Sequence, residues 1–132
     1  MADRFLSSLV RQFLRGLPMW LINGGGFGYN DGSTVTQASD KTTAFTLNTV
    51  TGRIIFAASA LAAFTSSSAT WTNSFLGSYD VVGFSQNSGS FKYNFTVLCS
   101  DGQGQIVIYN ASNGTLTEAV AVSFVVIKGS WS

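Results

Sequence analysis

The chain has 132 residues, a formal net charge of +1, 45% hydrophobic residues and only 10% charged residues, with no histidine and one cysteine. This composition supports a packed core, and the near-zero net charge argues against general polyanion binding, which needs clustered lysine and arginine. A single cysteine excludes an intrachain disulfide framework, and the lack of histidine excludes the common Ser-His and Cys-His nucleophilic systems and most zinc sites.

Residues 3–17 have the periodicity of an amphipathic α-helix with a basic face. At about 100° per residue, the large apolar side chains fall on one broad half of the helix, and three arginines lie almost in line on the other. Asp3 favours the helix start, and Gly16 and Pro18 mark its end. Residues 19–22 continue the apolar surface. The residues predicted to attach the chain to a partner are Arg4, Phe5, Leu6, Leu9, Val10, Arg11, Phe13, Leu14, Arg15, Leu17, Trp20 and Leu21.

A glycine-rich linker, residues 23–33, is predicted to follow this anchor segment of residues 1–22. Glycine occupies five of its eleven positions, so the linker can take almost any path. Three interpretations of the helix stay open: it docks on a partner or bundles with copies of itself, it packs on its own β domain, or it lies on a membrane surface. The loose tether favours docking, with the apolar side chains in the contact and the arginines facing solvent or an acidic partner surface.

The N-terminal segment has the pattern of neither a secretory signal nor a membrane span. Arg11 and Arg15 interrupt its apolar run, and no small-residue cleavage site follows. The same arginines, together with Pro18, are incompatible with a span of about 20 apolar residues. We therefore expect the chain to be made in the cytoplasm and to act without export through a cleaved signal.

From residue 34 the hydrophobic period changes to two, which predicts β-strands. An alanine-rich stretch, residues 57–64, is predicted to form a short helical turn. The predicted strands are residues 34–39, 43–47, 53–58, 70–76, 79–84, 90–99, 105–109 and 119–128. The last is apolar on both faces, so we expect it to be a central strand or to lie at a subunit contact. This pattern predicts a mainly-β domain over residues 34–132, an antiparallel β-sandwich or jelly roll.

Few residues of the chain are candidates for chemistry. Cys99 lies in an apolar run and is predicted to be a small core residue. Most of the carboxylates lie beside turns, where aspartate is common. We therefore predict no catalytic, cofactor-binding or metal-binding residues and no enzymatic activity. Four aromatic residues are candidates for sugar binding if exposed, although burial is the commoner role: Trp71, Tyr79, Phe84 and Trp131.

Three stretches of the β domain, residues 32–48, 51–63 and 114–129, resemble small structural modules of tailed bacteriophages. The likeness is to β-rich capsid-decoration, head-fibre and tail-fibre modules. The resemblance implies a homotrimeric virion protein. It does not include the N-terminal segment, where modules of this type carry different attachments.

We therefore predict a virion structural protein, assembled onto the particle as a capsid decoration, cement or short head-fibre protein, because the chain has no room for a long shaft. Its expected partners are copies of itself and phage capsid or tail proteins, with no cofactor, no nucleic acid and no membrane. One alternative is a tail-associated fibre or tip that binds host surface glycan. Another is a coat protein like those of RNA phages, which needs a basic sheet surface, whereas the cations of the β domain are dispersed: Lys41, Arg53, Lys92 and Lys128.

Overall fold

The structure is a computed structural model that describes residues 19–22, 26–29 and 32–129. The chain divides into two units, Met1–Asp31 and Gly32–Ser132. The predicted helix over residues 3–17 lies outside the described residues, and so do ten of the twelve predicted attachment residues.

In the first unit, β1 (Met19–Ile22) and β2 (Gly26–Tyr29) form an antiparallel two-stranded sheet. Trp20 pairs with Gly28, and Leu21 pairs with Phe27. These are the two predicted attachment residues that the structure describes. Four residues of the predicted linker thus belong to a strand. In β2 the glycines that suggested a loose tether alternate with aromatic residues. This alternation has the period of two that is typical of a strand.

Within residues 32–129, eight strands form two four-stranded sheets. Sheet I has the order β3-β5-β10-β7, with β3 (Ser33–Thr36), β5 (Thr51–Phe56), β7 (Val81–Gln86) and β10 (Val120–Ile127). Sheet II has the order β4-β6-β9-β8, with β4 (Phe45–Thr46), β6 (Ser66–Thr72), β8 (Tyr93–Ser100) and β9 (Gln103–Asn110). β10 is an inner strand of sheet I, which confirms the prediction of a central strand from its two apolar faces.

The prediction of purely antiparallel sheets is wrong. β3 pairs with β5 and β4 pairs with β6 in parallel, so both sheets are mixed. The reason is that consecutive strands from β3 to β6 alternate between the two sheets. A strand that returns to its first sheet after such a crossover can run parallel to its neighbour. Sequence periodicity reports which side chains face inward, and it carries no information on strand direction.

The predicted helical turn over residues 57–64 is also wrong, because this stretch contains no helix. Leu61 instead forms an isolated antiparallel bridge with Leu116, in which each backbone N–H donates to the other residue's carbonyl. Ala57 and Leu61 are both buried in the core. Tertiary contacts therefore override the helix propensity of the alanine-rich sequence.

The inward side chains of both sheets share one hydrophobic core. Trp71 of sheet II is fully buried and meets Phe124 of sheet I edge-on, with ring centroids 4.6 Å apart. The indole Nε1 of Trp71 donates to the Leu47 carbonyl at 3.2 Å, so its polar atom is satisfied. Two sheets around one core form the arrangement that a β-sandwich requires.

Candidate interaction surfaces

Buried polar side chains hold the loops of the β body in place. Lys41, 2% exposed, donates from Nζ to the carbonyls of Ala57, Ser59 and Glu118 at 2.8, 2.6 and 3.0 Å. Burial lowers the pKa of Lys41, and the charge of Glu118 acts in the opposite direction. Because all three protons of the ammonium group have acceptors, Lys41 acts as a structural contact. Within residues 32–129, the buried polar residues are Gln37, Lys41, Asn73 and Asn110.

Asn110 holds the loop that presents Phe64. Its Nδ2 lies 2.9 Å from the Leu61 carbonyl and 2.8 Å from that of Gly114, and its Oδ1 accepts from the Ser112 backbone at 2.9 Å. Phe64 has a φ of 54° and is 60% exposed. A left-handed backbone is uncommon for an aromatic residue, so the surrounding contacts must stabilise it.

β7 and β8 are edge strands of the two sheets and lie next to each other. We call this part of the molecule the open side. A groove of about 320 Å³ runs between the two strands and reaches partly buried core side chains, among them Phe84 of β7 and Phe95 of β8. The full lining is Asp80, Val81, Val82, Phe84, Phe95, Thr96 and Val97.

Both strands of the open side carry exposed apolar side chains. Leu98 on β8 is 76% exposed and Val81 on β7 is 61% exposed. Val81 pairs across sheet I with Ile127, which is itself half-exposed. A second depression, of about 310 Å³, lies between β7 and β10, where Gly83 has no side chain to cover Val125. The groove and this depression therefore both adjoin β7.

The opposite edge of each sheet is short. β3 has four residues and β4 has two, whereas β7 has six and β8 has eight. Neither β7 nor β8 contains a charged residue or a proline. Natural proteins protect their sheet edges with short strands, charges or proline. The open side is therefore the unprotected edge of the part of the chain that the structure describes.

One carboxylate, that of Asp80, lies beside the groove, and it has several partners. Its oxygens accept hydrogen bonds from Lys128 Nζ at 2.5 Å, from the Gly77 amide at 2.8 Å and from the Gly129 amide at 2.9 Å. Burial raises the pKa of Asp80, but these hydrogen bonds outweigh that effect, so the pKa lies below the ordinary 3.8. The charge of Asp80 is therefore already compensated within the chain.

We expect the free energy of unfolding to decrease as the pH falls below about 4. The pKa of Asp80 lies below 3.8 in the native state, and hydrogen bonds from Ser90 hold the pKa of Glu118 below 4.5. Groups with a depressed native pKa stabilise the fold above their ordinary pKa, and this stabilisation is lost as the pH falls through the native value. Urea unfolding between neutral pH and about pH 2.5 measures the loss.

The matched variants for this experiment are Asp80→Asn and Asp101→Asn, which remove the same charge. Asp80 is nearly inaccessible and has three donors, whereas Asp101 is exposed and accepts from Ser78. Asp80→Asn should lower stability at neutral pH by about 1 kcal/mol, since Lys128 is half-exposed and its contribution is screened. It should also lose less stability on acidification than the wild type. Equal acid slopes in Asp80→Asn and the wild type would contradict this assignment.

The aromatic residues considered for sugar binding are not brought together. Trp71 is fully buried, Phe84 is half-buried in the groove wall and Tyr79 is 62% exposed, while Trp131 lies outside the described residues. The burial of Trp71 excludes it from ligand contact.

Phe64 and Phe91 are exposed aromatic residues that sequence analysis did not select. Phe91 falls within the predicted strand over residues 90–99. β8 instead begins at Tyr93, and Phe91 is 81% exposed. Phe91 stands in a run of alternating apolar residues, so periodicity alone could not separate it from the strand. The left-handed backbone of Phe64 has no signal in the sequence.

Cys99 faces inward from β8 and is half-buried against the core, as predicted. Burial raises the pKa of its thiol, which disfavours a reactive thiolate. Among the described residues, no three His, Cys, Asp or Glu side chains come together as a metal ion would require. That part of the chain also holds no helix that is long and apolar enough to cross a membrane.

The fold and surface define a class of protein, an all-β module with an unprotected sheet edge and a separate N-terminal unit. Comparison with protein-family models, curated proteins and solved structures found no match to the chain.

Proposed function

We propose that the chain is a structural subunit of a tailed-bacteriophage virion, a capsid-decoration, cement or short head-fibre protein. The observation that carries the proposal is the division into an all-β body with its own core and a separate N-terminal unit. The described core residues all belong to the β body, so we assign the N-terminal unit to attachment. The sequence resemblance to phage modules is the reason for proposing that the particle is a phage virion.

In this proposal the subunit is a homotrimer, and the amphipathic helix over residues 3–17 docks on a capsid or tail protein. Its apolar face forms the contact, while Arg4, Arg11 and Arg15 face solvent or an acidic partner surface. A jelly-roll topology belongs to the same proposal and is supported by eight strands in two four-stranded sheets. The parallel pairs β3–β5 and β4–β6 are departures from the antiparallel order of that topology.

Charge substitutions on the predicted helix test the attachment. In the full chain, Leu9→Glu with Phe13→Glu should reduce the amount of tagged protein on gradient-purified particles by more than about tenfold. Each buried large apolar side chain contributes about 1.5–3 kcal/mol, and about 1.4 kcal/mol corresponds to tenfold. The matched control, Ser8→Glu with Gln12→Glu, places the same charges on the predicted polar face and should keep the protein bound. Equal retention of both variants would contradict docking by the apolar face.

A deletion gives a second test of the same attachment. It should remove Met1–Asp31, because a cut at Ile22 would leave β2 without the strand that it pairs with. We expect a folded β body, shown by circular dichroism, that no longer joins particles. If the truncated protein still decorates them, the attachment function of the N-terminal unit is wrong.

Glycan binding by a tail-associated tip is the second candidate, and one surface favours it. The outer face of sheet II has no charged side chain in β6, β8 or β9. Apart from Leu98 and Val107 it carries amides, hydroxyls and one aromatic ring, which suit a neutral, hydroxyl-rich ligand. Its members are Ser66, Ser68, Thr70, Thr72, Asn94, Thr96, Leu98, Gln103, Gln105, Val107 and Tyr109. Binding on a glycan array that Tyr109→Ala abolishes would support this candidate, and no binding by the wild type would remove it.

An RNA-phage-like coat function is the third candidate, and it has less support. Lys41 is buried, and its three protons are used by backbone carbonyls. Lys41 is therefore unable to reach a phosphate group, and Arg53, Lys92 and Lys128 remain as the cations of the β body. Strong, salt-dependent RNA binding would restore this candidate.

A further inference from the structure

We infer that the open side, formed by β7, β8 and the groove between them, is the surface through which copies of this chain associate. The inference rests on the self-association that belongs to the proposed function. It does not require the protein to be part of a virion. It assigns the contact to the β body, and within that body to one pair of sheet edges.

The edges of β7 and β8 are suited to pairing with another chain. Within residues 32–129, β7 and β8 each have a strand neighbour on one side only. An edge strand presents unpaired backbone N–H and C=O groups, and a long edge without charge or proline is a template for pairing with another chain. On the open side these groups lie beside exposed Leu98 and Val81 and above core residues that the groove leaves partly accessible.

The electrostatics of the open side favour a second copy of the chain as the partner. β7 and β8 contain no charged residue, and the charge of Asp80 is compensated by Lys128 and two amides. A nucleic acid would require cations on this surface, and a basic partner would require free carboxylates. A second copy brings the same neutral, apolar edges, so the contact buries no uncompensated charge.

The two sides of the β body differ in their sheet edges. The opposite edges, β3 and β4, are short and present exposed threonines such as Thr36 and Thr46. An association driven by sheet edges should therefore use β7 and β8 and spare β3 and β4. This difference also supplies a matched control.

The experiment uses the full chain in size-exclusion chromatography with light scattering over a range of concentrations. The wild type should have a mass that is a multiple of 14.0 kDa. Leu98→Lys with Val81→Lys should raise the dissociation constant at least about a hundredfold and give the monomer mass, because association would bury two unpaired charges. Thr46→Lys with Thr36→Lys adds the same charge to the opposite edges and should leave the assembly intact. Circular dichroism should show that both variants are folded, since all four positions are exposed.

Hydrogen exchange followed by mass spectrometry gives a readout that locates the contact. On raising the wild-type concentration, amide exchange should slow in β7 and β8 and stay unchanged in β3 and β4. A monomeric wild type at every concentration would overturn the inference, and so would an unchanged mass for the open-side variant. A wild type that forms oligomers through the open side but does not join particles would count against the proposed virion function alone, so the two failures are distinguishable.

Discussion

Replacing Lys41 by methionine should lower the free energy of unfolding by about 3 kcal/mol. Methionine has a similar length but no donor, so the carbonyls of Ala57, Ser59 and Glu118 would lose the group that satisfies them. A buried polar group without a partner costs about 1–3 kcal/mol. Removal of the buried charge offsets part of that cost. The Ser59 and Glu118 contacts are also only part-buried, so water can replace some of the lost hydrogen bonds.

Urea unfolding at neutral pH measures this loss. Lys92→Met is the matched control, because Lys92 is exposed and its replacement should change stability by no more than about 0.5 kcal/mol. Unchanged stability in Lys41→Met would show that packing of the methionine side chain compensates for all three hydrogen bonds, as happens for some buried charges. The structural role assigned to Lys41 would then be wrong.

Replacing Asn110 by leucine should also cost about 3 kcal/mol and should loosen the loop that carries Phe64. The substitution keeps the size of the side chain and removes its contacts with the carbonyls of Leu61 and Gly114 and with the backbone of Ser112. Without those contacts, the left-handed backbone of Phe64 loses the loop geometry that holds it.

Two measurements separate loss of stability from loosening of the loop. Urea unfolding reports the change in global stability, and brief chymotrypsin digestion reports cleavage after Phe64, which should become faster in Asn110→Leu. Asn113→Leu is the control, because Asn113 is exposed in the segment that follows Asn110. If cleavage at Phe64 is equally slow in both variants, Asn110 does not hold this loop.

Much of the β body could be predicted from the sequence, because strand periodicity is a property of neighbouring residues. The sequence alternation over β8 separates Phe95 and Val97 from Thr96, and the structure places the first two on the inner face and Thr96 on the outer one. The two apolar faces of β10 correctly predicted an inner strand. The ends of the strands were predicted less accurately. Phe91 was assigned to the strand, but β8 begins at Tyr93.

The attachment residues remain a prediction, since most of them lie outside the described residues. The open side could not have been predicted from the sequence. Leu98 and Val81 each stand in an ordinary strand pattern, and what distinguishes them is that β7 and β8 are both edges and lie side by side. Strand order depends on the whole chain and is not contained in any short stretch.

By itself, the sequence determined the mainly-β class, the eight strands of the body and the inward position of Cys99, because each depends on local alternation and on total composition. The tertiary structure decided the parallel pairs, the buried lysine and the open side. Lys41 illustrates the reason, since one of its acceptors, Glu118, lies 77 positions away along the chain. A lysine is ordinarily exposed, and three carbonyls converging from distant loops make its burial possible.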